Sequence, residues 1–286
     1  MKGPAVASTV VIDNVEIEYN DMGSGPPVVF VHGLYVTGAL WDDVAARLSG
    51  AHRCIVPTWP FGAQRKPVGP GVDIGVEAAG RRILKLLEIL DLSDVTLVAN
   101  DTGGGIVLAT LGNNLYDFDR VARLVFTNCD SFEHFPPSGF APFVRLCRFS
   151  PKLGAGVLRL LSTKRGLDQF ASMVTRHGID KARRSEIFGG FISSAEARQE
   201  SVRLTVDLNP RYTLAATTAI NSWEKPVLLA WGNSDKLFPI SHAERLADAF
   251  PHAVLHTIDD SSTYVMLDQP DETASAISEF IKGTTK

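Results

Sequence analysis

The sequence predicts an α/β fold: a mostly parallel sheet of eight strands, covered by helices and interrupted late by a helical insertion. Three observations carry this expectation. Continuous apolar runs such as V-V-F-V, V-T-L-V-A-N and P-V-L-L-A-W are what a strand buried on both faces requires. They alternate with helical patterns, which implies parallel strands joined by crossover helices. The rhythm stops over residues 131–217 and resumes at 226.

Taken in order, the first 25 or so residues alternate polar and apolar around Asp13-Asn14 and read as an edge hairpin. Pro26 and Pro27 lead into V-V-F-V-H-G, a buried strand. Leu40, Trp41, Val44 and Leu48 recur at helical spacing; C-I-V-P is a short strand, followed by the loop T-W-P-F-G-A-Q-R-K-P. Residues 76–90 form an amphipathic helix with Ile83, Leu86, Leu87 and Leu90 on one side. V-T-L-V-A-N is the fifth strand, 103–112 a small-residue helix, and V-A-R-L-V-F-T-N the sixth strand. After the irregular stretch, P-V-L-L-A-W-G, 241–249, A-V-L-H-T-I and 270–282 read as strand, helix, strand and helix. The expected division is a core of residues 1–130 and 218–286, with a helical cap of 131–217 between the sixth and seventh strands.

Composition narrows the function classes. Among 286 residues, 45% are apolar and 21% charged, the balance of an ordinary globular protein. A net charge of −4 gives no electrostatic footprint for nucleic acid or an anionic membrane. Three cysteines, Cys54, Cys129 and Cys147, lack zinc-type spacing and point to reduced thiols in a cytoplasm. The opening M-K-G-P-A-V-A-S has no apolar leader core, and no run reaches the ~18 apolar residues of a membrane helix. The expected protein is cytoplasmic, a monomer or homodimer, with no nucleic-acid or membrane partner.

One short stretch carries the chemistry. Ala99-Asn100-Asp101-Thr102-Gly103 places an acid between small residues where a buried strand turns into a helix, the pattern of a nucleophile elbow. The helix N-terminus favours negative charge, so Asp101 is expected ionised and nucleophilic. The alternative is an N-cap, for which aspartate is also preferred. His32-Gly33-Leu34 follows the third strand, W-G-N-S-D-K-L-F-P contains Asp235 after the seventh, and I-D-D-S-S-T-Y-V-M-L-D-Q-P closes the chain.

In the order and spacing of these segments the chain resembles the α/β-hydrolases along nearly its whole length. With an aspartate at the elbow and a helical insertion, it looks most like the epoxide hydrolase and haloalkane dehalogenase branch. That resemblance implies a nucleophile at Asp101, a triad acid at Asp235 or Asp130, and oxyanion donors from the backbone N–H groups of Leu34 and Thr102. His32 and Gly33 belong to the same loop. The resemblance also implies departures. The halide-binding tryptophan expected after the nucleophile is Thr102, and the asparagine that some dehalogenases carry after H-G is Leu34, which ranks carbon–halogen cleavage low. Cap tyrosines protonate the oxirane in epoxide hydrolases, and Tyr212 is the tyrosine of the cap segment here.

The largest departure is at the histidine. The family's histidine stands seven residues before the proline of the closing helix, and counting back from Pro270 gives Thr263; no histidine occurs in 257–286. General-base catalysis is worth about 10²–10⁴-fold, so its loss would trap an ester intermediate unless another group takes over. His134, at the cap entrance, is the first substitute among the histidines. His52, His177, His242, His252 and His256 read as surface, loop or cap residues. The sharper alternative is a set of converging carboxylates, Asp101, Asp130 and Asp235, in which like charge and desolvation raise at least one pKa. Asp259 and Asp260 read as loop acids, and helix caps are the alternative for Asp130 and Asp235.

The leading expectation is therefore hydrolysis of a small or medium hydrophobic substrate, most plausibly an epoxide, through Asp101. Trp59, Phe61 and several cap phenylalanines are candidates for an apolar pocket wall. A non-hydrolytic lyase, isomerase or cyclase using Asp101 as acid or base, and a ligand-binding pseudoenzyme, are the alternatives. No cofactor motif and no metal-ligand spacing occur, so neither an organic cofactor nor a metal is expected.

Overall fold

The computed structural model describes residues 6–285. The opening M-K-G-P-A of the leader-free reading lies outside the described residues. Eight strands form one sheet: β1 (Val6–Ile12), β2 (Val15–Met22), β3 (Pro27–Val31), β4 (Arg53–Pro57), β5 (Val95–Asp101), β6 (Val121–Cys129), β7 (Val227–Gly232) and β8 (Ala253–Ile258). Their spatial order is β1-β2-β4-β3-β5-β6-β7-β8. The first two strands form the expected hairpin, and Asp13 and Asn14 both take positive φ at its two-residue turn, which short polar side chains tolerate. The β2–β4 pairing is also antiparallel, and all remaining pairs are parallel.

This order fixes where a site can form. The chain steps from β3 outward to β4, then returns to place β5 on the other side of β3. At such a reversal the following loops diverge, and a crevice opens beyond the carboxyl ends of the two strands. Val31 of β3 pairs with Ala99 of β5, so His32-Gly33-Leu34 and Asp101 emerge side by side. Burial supports the reading of strands covered on both faces: β5 is buried from Val95 through Asn100, and β7 throughout.

Helices follow the predicted periodicity, at Val76–Ile89, Thr102–Leu111, Ile240–Ala249 and Pro270–Thr284. Residues 38–49 differ slightly: a 3-10 turn, Gly38–Trp41, precedes the α-helix Asp42–Leu48. Between β6 and β7 the described chain is helical from Ala141–Phe149 to Thr217–Asn221. Backbone bonds join this insertion to the core loops: Tyr264 N–H donates to the Val174 carbonyl (2.8 Å), Thr37 N–H to Ile187 (2.7 Å) and Gly190 N–H to Ala63 (2.8 Å). Buried acids add to the attachment. Asp268 accepts from the N–H groups of Arg176 and His177, and Glu200 accepts from those of Val68 and Gly69. No described helix is long and apolar enough to cross a membrane.

Candidate active site

Asp101 ends β5 with φ 53° and ψ −135°, a conformation that a residue with a side chain rarely adopts. Such strain persists only where the surroundings fix it. The next helix starts at Thr102, and three glycines, 103–105, let it approach closely. A Cβ at Gly103 would lie 2.5 Å from the His32 carbonyl, and one at Gly33 would collide with the Asp101 carboxylate. The backbone N–H groups of Thr102 and Leu34 point at that carboxylate, the two donors expected from sequence. They favour the anion, but burial outweighs them and the charge of Asp235 adds to it, pushing the Asp101 pKa up to about 7. The helix N-terminus alone suggests full ionisation; desolvation changes that, and Asp101 titrates near neutrality.

Asp235 is buried and fully engaged. Its Oδ1 accepts from the N–H groups of Leu237 (2.7 Å) and Phe238 (3.2 Å). Its Oδ2 accepts from Asn128 Nδ2 (2.9 Å) and from the Thr263 hydroxyl (2.9 Å). Burial raises its pKa, and these four donors oppose the rise. Thr263, the position counted back from Pro270, thus meets Asp235 through its side chain. Asn128 also holds Gly232 from both sides, donating to its carbonyl (3.1 Å) and accepting from its N–H (2.7 Å). Asn100 donates to the Thr263 carbonyl (2.8 Å), the Thr127 hydroxyl (2.9 Å) and the Asn128 carbonyl (3.1 Å). Sequence reasoning missed both asparagines. Their signal was a polar side chain at the end of each of two adjacent apolar strands.

Asp130 lies behind the elbow. It is fully buried, and neither carboxyl oxygen has a hydrogen-bond partner among the described residues. Burial, with the Asp101 charge second, drives its pKa well above the usual carboxylate range. The Thr102 hydroxyl approaches it without closing a hydrogen bond. The three carboxylates expected to converge do so electrostatically: Asp101 feels Asp235, and Asp130 feels Asp101.

Two further groups face this acid, and neither was expected. Tyr35 and Tyr264 are buried, and among the described residues neither hydroxyl has a hydrogen-bond partner. Burial raises both pKa values, and the charge of Asp101 contributes to each. Phe170 packs against both rings, with centroids at 6.4 Å and 6.3 Å, and Phe191 against Tyr35 at 5.0 Å. Insertion aromatics therefore pack against both tyrosines, and the Thr205 hydroxyl approaches that of Tyr35 without closing a hydrogen bond. Each tyrosine directly follows a predicted residue, Leu34 or Thr263, and that adjacency was the available signal.

Other expected residues lie elsewhere. The Tyr212 hydroxyl donates to Asp207 (3.0 Å) and meets Arg211 (2.8 Å), so it is engaged away from the acid. Trp59 is fully buried and its indole N–H donates to the Phe30 carbonyl (3.0 Å), a packing role rather than a pocket wall. Its backbone N–H donates to His32 Nε2 (2.8 Å), and His32 Nδ1 meets the Gly33 carbonyl (2.8 Å). Burial lowers the His32 pKa to about 4, so this neutral ring shapes the oxyanion loop and is no base. His134 stacks on His242 with centroids 4.2 Å apart and pairs with Glu133 (3.6 Å), partly exposed and away from Asp101. His52 meets Ser278, His177 meets Asp260, His252 meets Glu224 and His256 meets Glu272. All seven histidines are therefore placed, and none hydrogen-bonds to Asp101 or Asp235. Asp259 and Asp260 bond to Asn233 and Arg176 as loop acids.

A strained acid at the strand–helix turn, a facing pair of backbone donors and a second acid beyond β7 define an enzyme centre of the α/β-hydrolase type. The chain belongs to the alpha/beta hydrolase family, a model of which matches residues 28–276. Among curated proteins it is 27% identical to a cis-3-alkyl-4-alkyloxetan-2-one decarboxylase of Shewanella oneidensis, over 94% of this chain and 86% of that one. It is also 27% identical to haloalkane dehalogenase 2 of Mycobacterium bovis, over 92% and 90% of the two chains. Among solved structures, haloalkane dehalogenase DbeA from Bradyrhizobium elkani superposes with a TM-score of 0.82 at 16% identity, covering 98% and 99% of the two chains. An α/β-hydrolase-fold protein from Burkholderia ambifaria gives 0.81 at 19%, covering 95% and 97%.

Proposed function

We propose that this chain is an enzyme in which Asp101 opens a strained oxygen ring in a hydrophobic substrate through a covalent ester that is not resolved by histidine-driven hydrolysis. The carrying observation is the Thr263 hydroxyl on Asp235, in the place of the base, with every histidine engaged elsewhere. In the ring-opening step an Asp101 oxygen attacks a saturated ring carbon and the carbon–oxygen bond breaks with its electron pair on the ring oxygen. If the ring is an oxetan-2-one, the substrate named for one relative, the released group is a carboxylate. Loss of carbon dioxide then supplies the electron pair for a new carbon–carbon double bond and expels Asp101 as a free carboxylate. Nothing in this sequence consumes water or needs a base, which suits a site with Thr263. The Leu34 and Thr102 N–H groups orient the carboxylate and receive its charge again on release.

Hydrolysis of an epoxide is the second reading, favoured by the two free tyrosine hydroxyls. Tyr35 or Tyr264 would protonate the oxirane oxygen as Asp101 attacks, and an acid such as Asp235 would have to activate water. Carbon–halogen cleavage fits less well, because Thr102 and Leu34 offer backbone donors without an indole or amide side chain for halide.

The deciding experiment incubates the protein and Asp101→Asn with cis-3,4-dialkyloxetan-2-ones and with aliphatic epoxides in ¹⁸O-water. Alkene and carbon dioxide, with no label in Asp101, are expected. Diol formation with label entering Asp101 establishes hydrolysis instead, and turnover by Asp101→Asn removes both readings.

A further inference from the structure

One exposed face of the insertion has a composition unlike the rest of the chain. Between His134 and Leu167 there is no acidic residue, whereas Arg145, Arg148, Lys152, Arg159, Lys164 and Arg165 are all basic, in a protein whose net charge is −4. All six are exposed, and among the described residues none forms an ion pair. Arg148 alone is engaged, donating to the Val206 and Leu208 carbonyls.

Beside these cations runs an uncovered apolar stripe. Phe149 is 85% exposed, Leu153 54%, Val157 41% and Leu160 70%. Leu153, Val157 and Leu160 recur at i, i+4 and i+7 of the helix Pro151–Leu161, so they share one face, while Gly154 and Leu158 of the same helix are buried. Phe149 ends the preceding helix. Scattered exposed apolar residues need no explanation, but a contiguous stripe flanked by charge of one sign does.

We propose that this stripe docks the protein on an anionic lipid surface, with the four apolar side chains entering the headgroup boundary and the basic residues meeting lipid phosphates and carboxylates. An apolar face rimmed by lysine and arginine is the arrangement that lies in a membrane interface without spanning it. A symmetric contact with a second copy suits the face poorly, since it would bring the unpaired cations of one stripe against those of the other. The chain-wide charge conceals the feature, because the acids that outweigh these cations lie elsewhere in the sequence. The inference is independent of the chemistry assigned to Asp101.

The test is co-sedimentation of the full chain with vesicles of phosphatidylcholine alone and of equal parts phosphatidylcholine and phosphatidylserine. Binding is expected to the mixed vesicles only and to weaken as salt rises. Leu153→Glu with Leu160→Glu, and separately Lys152→Glu with Arg159→Glu, should each lower the partition coefficient at least about tenfold. These positions are exposed, so the melting temperature should not move. Failure of the folded protein to bind mixed vesicles overturns the proposal, as does equal binding to phosphatidylcholine alone or unchanged binding by either folded double variant. A dimer that Leu153→Glu with Leu160→Glu dissociates, without vesicle binding, would assign the face to a second copy.

Discussion

The Thr263 hydroxyl donates to Asp235 Oδ2 at 2.9 Å, so this buried acid is capped by a group that cannot take up a proton near neutrality. Asp235 is buried and satisfied by four donors, so its carboxylate is left without an unpaired oxygen.

On the proposed chemistry, Thr263→His should supply a general base beside Asp235. With Asp235 in place to orient it, a histidine is expected to speed hydrolysis of an Asp101 ester by about 10²-fold or more. The readout is the rate at which an alkylated Asp101 disappears by peptide mass spectrometry. Asp235→Asn in the same background should cancel the gain; persistence of the gain would show that the acid plays no part. Thr263 is fully buried, so thermal melting must accompany the assay to show that the larger ring is accommodated.

Asp101→Asn should abolish turnover, by about three orders of magnitude or more, and yet stabilise the fold. The raised pKa means that the anion is disfavoured in the native state. The sign follows: no cost below the unfolded value near 3.8, a cost that grows as pH rises, and the full cost above about 7. At about 1.4 kcal/mol per pKa unit this amounts to at most about 4 kcal/mol, reduced by the partial solvent exposure that Asp101 keeps at the end of β5. Melting curves should show the variant and parent alike at pH 4 and the variant higher at pH 8, on the order of 5 °C or more. Single-turnover ester formation by the parent should rise with pH and level off above about 7; a fall through that range would make Asp101 a proton donor.

Much of this site is written in local sequence. The elbow, the H-G loop, Asp235 and Thr263 are each fixed by strand ends or by spacing to a proline, so they can be read residue by residue. What escaped reading depends on three-dimensional neighbours. Tyr35 and Tyr264 become significant only once burial leaves their hydroxyls without partners; Asp130 was legible as a strand-end acid, but its full enclosure beside Asp101 was not. Tyr212 failed for a local reason: Asp207, five residues back at the end of the preceding helix, and the adjacent Arg211 engage its hydroxyl. Trp59 failed because its indole N–H completes a carbonyl in β3.

The asparagine network makes a stability prediction. Asn128→Leu removes one donor from Asp235 and leaves the Gly232 N–H and carbonyl without their partner. Unpairing buried polar groups of this kind costs roughly 2–4 kcal/mol, and a charged acceptor lies at the upper end. Chemical denaturation should show that loss with an unchanged slope. A loss below about 1 kcal/mol would mean that water enters and replaces the amide.

The tyrosines allow the sharpest separation of structure from chemistry. A buried hydroxyl without a partner destabilises the fold, so Tyr35→Phe and Tyr264→Phe should be neutral or stabilising, by up to about 1 kcal/mol each. A hydroxyl that donates to the opening ring oxygen contributes to the rate instead, and its removal should slow ester formation by about 10²–10³-fold. A substrate whose ring oxygen leaves as a carboxylate needs that proton less than an oxirane does. The same phenylalanine variants should therefore impair epoxide opening more than oxetan-2-one opening, measured as the ratio of single-turnover rates on the two substrates. Equal loss on both would make the hydroxyls general anchors for the substrate. No loss on either, in variants that melt at or above the parent temperature, would show that Asp101 works without them.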